Sequence, residues 1–329
     1  MAANKMKAIK VSKLGSPEVM TLEEMDRPVP KPGQVLVKIK AAGVNPVDVY
    51  VREGHFGSYT LPMGMGGDAA GVIAEVPAGE SRFKVGDRVF TCEGADPLTG
   101  AYAEYALVPV RNVFPLPDVL SFSQGAALGI PYLTALRCLM IKANAKPNET
   151  VLVHGASGAV GLAACQIASA WKMQVFGTAG TEEGLKLIRD NGAATVFDHH
   201  DKNHKKNLMD ATGGKGFDVI LEMLANENLG TDIEVVAEFG RIVIIGSRGE
   251  AKCSPVYMMG KEAMCVGVLL MKSTDEEWKR IGDELVKGIN EGWVRPIIDQ
   301  EFPLNQAAEA HKAVMQHTGG SKGKIVLIP

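Results

Sequence analysis

The stretch TVLVHGASGAVGLAACQIA, Thr150 to Ala168, runs from a short apolar strand into glycines and out into an alanine-rich helix. Gly155, Gly158 and Gly161 stand three apart, between the strand "VLV" and a helix that starts near Ala159. This GxxGxxG spacing differs from the commoner GxGxxG, but the mechanics are shared. Missing side chains permit a tight turn, admit a pyrophosphate to the backbone amides at the positive helix end, and let helix and strand approach closely. Three glycines alone carry little. Their place decides, because "QVFGTA", "ATVFD", "FDVILEM" and "RIVIIGS" follow as compact apolar strands separated by helix-length segments, the pattern of a parallel, doubly wound sheet. His154, at the strand end, is read as a satisfied structural histidine rather than as chemistry.

Upstream the texture is different. From Lys7 to about Pro117 the pieces are short and alternating, as in "QVLVKIKAAGV" and "GVIAEV", with turn signals such as "KPGQ" and "VGDRV" between them, so this half is mostly β. Downstream, an amphipathic helix from roughly Thr274 to Gly292 precedes "VRPIIDQEFPL", a further helix and the strand "GKIVLIP". With 329 residues and 46% hydrophobic composition, the chain is long enough for two cores. A net charge of -3 without charged tails points to neither nucleic acid nor a membrane surface. Five scattered cysteines, odd in number and without CxxC spacing, suit free thiols in a reducing compartment, and a cytoplasmic location is expected. No apolar run approaches membrane-spanning length.

Which dinucleotide is held is decided at the end of the second strand of the series. NAD sites usually carry Asp or Glu about 20 residues past the glycine turn, bonded to the ribose hydroxyls. Here that strand ends in Gly177, Thr178 and Ala179, so no carboxylate repels a 2′-phosphate, and NADPH is favoured. Gly180 amides, Lys186, His199, Arg248 and Lys322 are the groups available to hold that phosphate.

The strings "NPVDVYVREG", "GVIAEV", "VGDRVF", "GAYAEYALV", "QGAALGIPYLTALRCL", "VLVHGASGAVGLAACQIA", "GTAGTEEG", "EMLANENL", "IIGSRG" and "GKIVLIP" together resemble the zinc-free, zeta-crystallin-like quinone oxidoreductases of the medium-chain dehydrogenase/reductase superfamily. The resemblance runs almost end to end. It implies an α/β fold: a GroES-like, mostly-β catalytic domain over residues 1–121, a Rossmann cofactor domain over 122–267 inserted into it, a return to the catalytic domain over 268–329, and a cleft between the two. It assigns Ser157, Gly158, Ala159 and Val160 to the pyrophosphate with Gly155 and Gly161, Gly180 to the adenosine ribose, and His199 to the third strand end. Thr134, Asn228, Ile245, Gly246, Ser247 and Arg248 fall along the nicotinamide half. Tyr50 and Asn45 are placed beside the nicotinamide, Asn45 as a donor to a carbonyl and Tyr50 as a contact to cofactor or acceptor oxygen. Departures are Ala159 where the family usually has glycine, "MGGDAAG" for a usual "PGSDVAG", and the substrate-side stretch "TCEGADPLTGAY". Cys92, within that stretch, is read as a buried inert thiol in preference to a reactive one.

Zinc-dependent members of that superfamily place a cysteine after the strand that here reads "IKAAGV" and a histidine near residue 67. Here Asn45-Pro46 and Gly66-Gly67-Asp68 stand in those places, and no metal is expected. Asp68 and Asp87 are expected to fix turns through bonds to backbone. Without a Lewis acid, an acceptor that delocalises charge by itself is favoured, so a small quinone is the expected substrate. Alternatives are reduction of enone or alkenal double bonds, and a zeta-crystallin-like role in AU-rich RNA binding or as a bulk structural protein. The basic run "DKNHKKN", Asp201 to Asn207, is better explained as a solvated helix face. A homo-oligomer, dimer or tetramer, is expected through the sheet edge near "MCVGVLL", Met264 to Leu270.

Overall fold

The structure, a computed structural model, describes residues 5–55, 57–92, 97–316 and 320–329. The chain divides into two compact units: Met1–Ile130 with Pro296–Thr318 and Gly323–Pro329, and Pro131–Arg295 with Gly319–Lys322.

The first unit is built on β structure. Strand Gln34–Val44 is its hub, pairing antiparallel with Asp68–Glu75, Tyr105–Pro109 and the closing strand Lys324–Ile328. Val35, Val37 and Ile39 of this strand are buried among Ile73, Val89 and Val108, as the period-2 pattern of a sheet with one core face requires. Helix Pro46–Glu53 follows the hub directly. Pro46 takes its first turn, Asp48 accepts the Asn45 backbone N–H at 2.8 Å, and Gly54, at φ 92°, closes it.

The second unit holds a six-stranded parallel sheet. From edge to edge its strands are Thr195–Asp198, Gln174–Ala179, Thr150–Val153, Phe217–Glu222, Val236–Ile244 and Met264–Gly267. Numbered along the chain within this unit, that order is 3-2-1-4-5-6, the doubly wound Rossmann arrangement. Leu152, Phe176, Phe217, Ile220 and Ile242 form part of one buried cluster of this sheet.

The unit boundaries differ from the expected 121 and 267. Residues 122–130 stay with the first unit, and residues 268–295 stay with the Rossmann sheet rather than returning to the β unit. The amphipathic helix is present as Asp275–Glu291, with Thr274 and Glu277 in a capping box and Gly292 at φ 81° ending it. Its attachment is local to the second unit. Arg137 bonds Glu277 at 2.8 Å, Trp171 donates to Glu284 at 3.2 Å, and Ile281, Leu285 and Ile289 are buried. Periodicity gave the buried face but not the surface it covers.

Candidate cofactor and acceptor sites

The glycine turn has the conformation its sequence requires. Strand Thr150–Val153 ends, Gly155 takes φ +53°, and Gly158 caps the helix Ala159–Ala170. At Gly161 a Cβ would lie 2.5 Å from Ala156 Cα, so the third glycine is what lets helix and turn approach. Ala159 has no positive φ and simply begins the helix, so its methyl is accommodated. Ser157 is buried within the turn, and Gly155 is exposed.

Beside this turn, the strand Gln174–Ala179 leads to Gly180, where a Cβ would come within 2.5 Å of His199 Nε2 and 2.7 Å of His200 Nε2. The two imidazoles stand edge to face, with centroids 4.5 Å apart. Partial burial, then the neighbouring His200, hold His199 below the usual imidazole range. Of the other groups available to a 2′-phosphate, Lys186 is paired with Asp190 at 2.5 Å and Lys322 with Glu183 at 2.6 Å. Arg248 donates its backbone N–H to Asn226 at 2.8 Å.

Ile245, Gly246, Ser247 and Arg248 leave the strand Val236–Ile244. Ile245 N–H bonds the Glu222 carbonyl at 2.8 Å, and Gly246 accepts from Ala225 N–H at 2.9 Å. Asn228 lies on the helix Ala225–Val235, its amide donating to Glu222 Oε1 at 3.1 Å, and Thr134 is buried on the helix Gly129–Leu136. These residues and the glycine turn belong to the second unit; Asn45 and Tyr50 belong to the first.

In the first unit Tyr50 lies on the helix Pro46–Glu53 rather than in a loop, half-buried, its ring edge to face with His55 at 6.1 Å. Asn45 caps that helix and is buried, its carboxamide held by Asp68 and Lys324. Asp48 beneath it accepts from Tyr102 OH at 3.0 Å. Burial pushes the Asp48 carboxyl up to about 6, with Asp68 adding and the Asn45 amide and Lys324 opposing. Tyr102 also meets His311 Nε2 at 3.2 Å, and Arg52 meets His311 Nδ1 at 3.0 Å. Burial and the Arg52 charge hold His311 down to about 3, so it stays neutral. Asp87 fixes its turn as expected, accepting Lys84 N–H at 2.9 Å, whereas Asp68 joins distant segments. Cys92 is buried, and residues 93–96 of the substrate-side stretch lie outside the described residues.

A second buried cluster underlies the glycine turn. His154 Nε2 meets Asp232 Oδ1 at 2.8 Å and Glu222 Oε2 at 3.6 Å, and both carboxylates are fully buried. Burial alone would lower the imidazole, but Asp232 and then Glu222 raise it, to about 9. Burial raises Glu222 to about 7 despite His154, with Asp232 adding. Among the described residues these three form the one group with the composition and closeness of a metal site. An imidazolium at His154 offsets one of the two negative charges, and the raised Glu222 carboxyl lessens the other.

The catalytic zinc of the superfamily's metal-dependent members would fall at the corner formed by Asn45 and Asp68. An amide and a carboxylate stand there with the Lys324 ammonium in contact with both. Imidazole and thiolate ligands are missing and a cation of the chain is present, so the residues do not fit a tetrahedral zinc.

A six-stranded Rossmann sheet and a GroES-like β unit in one chain define a two-domain nicotinamide dehydrogenase or reductase. Family models for an alcohol dehydrogenase GroES-like domain and a zinc-binding dehydrogenase match residues 31–118 and 159–287. The chain is 47% identical to the quinone oxidoreductase of Rattus norvegicus and 46% to that of Homo sapiens, in each case over 98% of both chains. It is similar to the Escherichia coli quinone oxidoreductase solved with NADPH, with a TM-score of 0.89 and 29% identity over 98% of this chain and 100% of that one. The chain belongs to the zeta-crystallin-like quinone oxidoreductases of the medium-chain dehydrogenase/reductase superfamily.

Proposed function

We propose that this protein is an NADPH-dependent quinone oxidoreductase that works without a metal. The observation that carries the reading is the end of the second Rossmann strand. There Ala179 and Gly180, facing His199 and His200, stand where an NAD site would carry a carboxylate. The turn Gly155–Gly161 binds the pyrophosphate through backbone amides, the histidines and Lys322 take the 2′-phosphate, and Thr134 with residues 245–248 orients the nicotinamide end. When bound, NADPH would supply the hydride, and the single proton that completes the hydroquinone comes from water. Tyr50 contacts cofactor or acceptor, and Asn45 donates to the acceptor oxygen as charge develops on it. Quinones delocalise that charge, which makes one or two neutral donors sufficient.

Anaerobic titration with NADPH and NADH by fluorescence, then oxidation with 1,2-naphthoquinone, tests both halves. Tighter NADPH binding with rapid turnover that a chelator leaves unchanged is the expected result. Binding without turnover would sink the quinone assignment and leave a binding role. Because His199 is held below its ordinary 6.5, its charge is lost before that value, and the preference for NADPH over NADH should weaken as pH rises toward 6.5. A constant Kd ratio would remove the histidines from phosphate recognition.

Two coarser expectations extend this reading. Strand Met264–Gly267 is the outermost of its sheet, with Met264 59% and Met259 75% exposed, so a second copy of the chain is the occupant we infer for that edge. Mass by light scattering should fall to that of a monomer in M264K/V266K; an unchanged oligomer would place the interface elsewhere. All five cysteines are free, which supports the reducing cytoplasm as its compartment. Among the described residues no helix is long and apolar enough to cross a membrane.

A further inference from the structure

Lys324 opens the last strand of the chain and is 2% exposed, while Asp68 is fully buried. Burying such a pair is unfavourable unless its hydrogen bonds are complete. Here they are. Lys324 Nζ donates to Asn45 Oδ1 and lies 3.3 Å from Asp68 Oδ2, and Asn45 Nδ2 donates to the same oxygen at 3.0 Å. Asp68 also accepts the Ile130 N–H, at 2.9 Å on Oδ1 and 3.0 Å on Oδ2. The backbone makes room for the pair with two glycines. A Cβ at Gly43 would stand 2.8 Å from Lys324 Cε, and one at Gly129 would stand 2.2 Å from Asp68 Oδ1.

The partners settle something that shape cannot. The two ends of a carboxamide are nearly the same size, and only its hydrogen bonds decide which end faces where. An ammonium only donates, and a carboxylate bonded this way only accepts. The Asn45 oxygen must therefore face Lys324 and its NH2 group must face Asp68, leaving one N–H uncommitted. A flipped amide would offer an oxygen lone pair to an acceptor gaining negative charge, and would oppose the reaction.

We propose that Lys324 and Asp68 are positioning residues for the reduction, fixing the Asn45 carboxamide so that it can only donate. This rests on the reading of Asn45 as donor to the acceptor oxygen. No covalent step involves the pair.

The test is a double-mutant cycle. Because K324M leaves the Asp68 charge buried alone and can unfold the protein, D68N/K324M, which removes both charges, is the variant to read. kcat and KM for 1,2-naphthoquinone, the Kd for NADPH and the melting temperature are measured with Asn45 and with N45A. N45A should lower kcat by about tenfold, below the ~10²–10³ lost with a donor to a localised oxyanion. D68N/K324M should lower kcat similarly with the NADPH Kd unchanged, and should change it less than about twofold when added to N45A. Wild-type turnover in N45A would overturn the donor reading itself. A slow N45A in which D68N/K324M still costs the same factor would leave the donor reading intact and overturn the positioning role. Hydrogen exchange of the Asn45 side chain in the unsubstituted enzyme needs no variant: one slow and one fast Nδ2 proton are expected, and two fast ones would overturn the proposal.

Discussion

The two units each bury an ionic cluster, and the clusters are closed differently. Around Asp68, both carboxylate oxygens are met by the Ile130 amide, and Oδ2 also by Asn45 and the Lys324 ammonium. Around His154, two carboxylates share one imidazole, and Glu222 Oε2 and Asp232 Oδ2 have no hydrogen-bond partner. Fixed donors satisfy the lone pairs of a buried carboxylate, whereas Glu222, with a lone oxygen left over, is pushed toward its protonated form. One cluster is therefore a lock for the Asn45 amide, and the other is a titrating joint between the strand ends at His154 and Glu222.

The largest expected effect separates them by removing each cation. K324M should lose about 3–5 kcal/mol, because Asp68 is left charged and buried. H154L should lose less, about 3 kcal/mol at pH 5, where the His154 stabilisation is complete, and less again at pH 8, where part of it has gone. Denaturant unfolding measures both. Trp171, Trp278 and Trp293 all fall within the second unit, so their fluorescence reports H154L directly, while far-UV circular dichroism follows K324M. Equal losses at both pH values would erase the distinction between the clusters. Space gives the next effect: G43A places a Cβ 2.2 Å from the Ala126 carbonyl oxygen as well as against Lys324, and should lose about 3 kcal/mol. Retention of wild-type stability would mean that the hub strand shifts freely.

The wild-type pH profile comes third. The folded His154 value of about 9 lies above its ordinary 6.5, so its stabilisation is complete below pH 6.5 and is lost as pH rises through 9. Glu222, raised from 4.5 to about 7, likewise favours the fold when protonated, and that contribution fades between those values. Both slopes have one sign. Tryptophan-monitored stability should fall continuously from about pH 5 to pH 9. A flat profile would show that the cluster does not titrate as a unit.

The sequence made the second unit far more legible than the first. Its glycine turn, five of its strands and the capped helix Asp275–Glu291 are local signals, written in spacings of two to four residues. The Asn45 corner joins residues 279 positions apart, and Asp68 reaches Lys324 across 256. No local pattern encodes such pairings. Asp68 was expected to hold a turn, and Lys324 within "GKIVLIP" could only be noted as a charge in an apolar strand. Its neighbours Ile325 to Leu327 are buried, and that was the available hint. Arg52, Tyr102 and His311 were missed for the same reason, since each finds its partner through the fold. His154 was recognised as structural from its place at a strand end, but its two acidic partners arrive from a strand and a helix much further along the chain.

The smallest effect is the sharpest on the protonation of that second cluster. E222Q keeps the acceptor that Leu224 and Asn228 use and replaces the titrating oxygen with an NH2 group that can donate to Asp232, imitating protonated Glu222. At pH 5, where Glu222 already holds its proton, the variant should match the wild type. At pH 8 it should be more stable by about 1 kcal/mol, because the unfavourable ionisation of a buried carboxyl has been removed. Tryptophan-monitored unfolding at the two pH values distinguishes this from the opposite arrangement. If E222Q were instead less stable than the wild type at pH 8, Glu222 would have to act as a charged partner of the His154 imidazolium. The two clusters would then follow one rule, each a fixed ion pair.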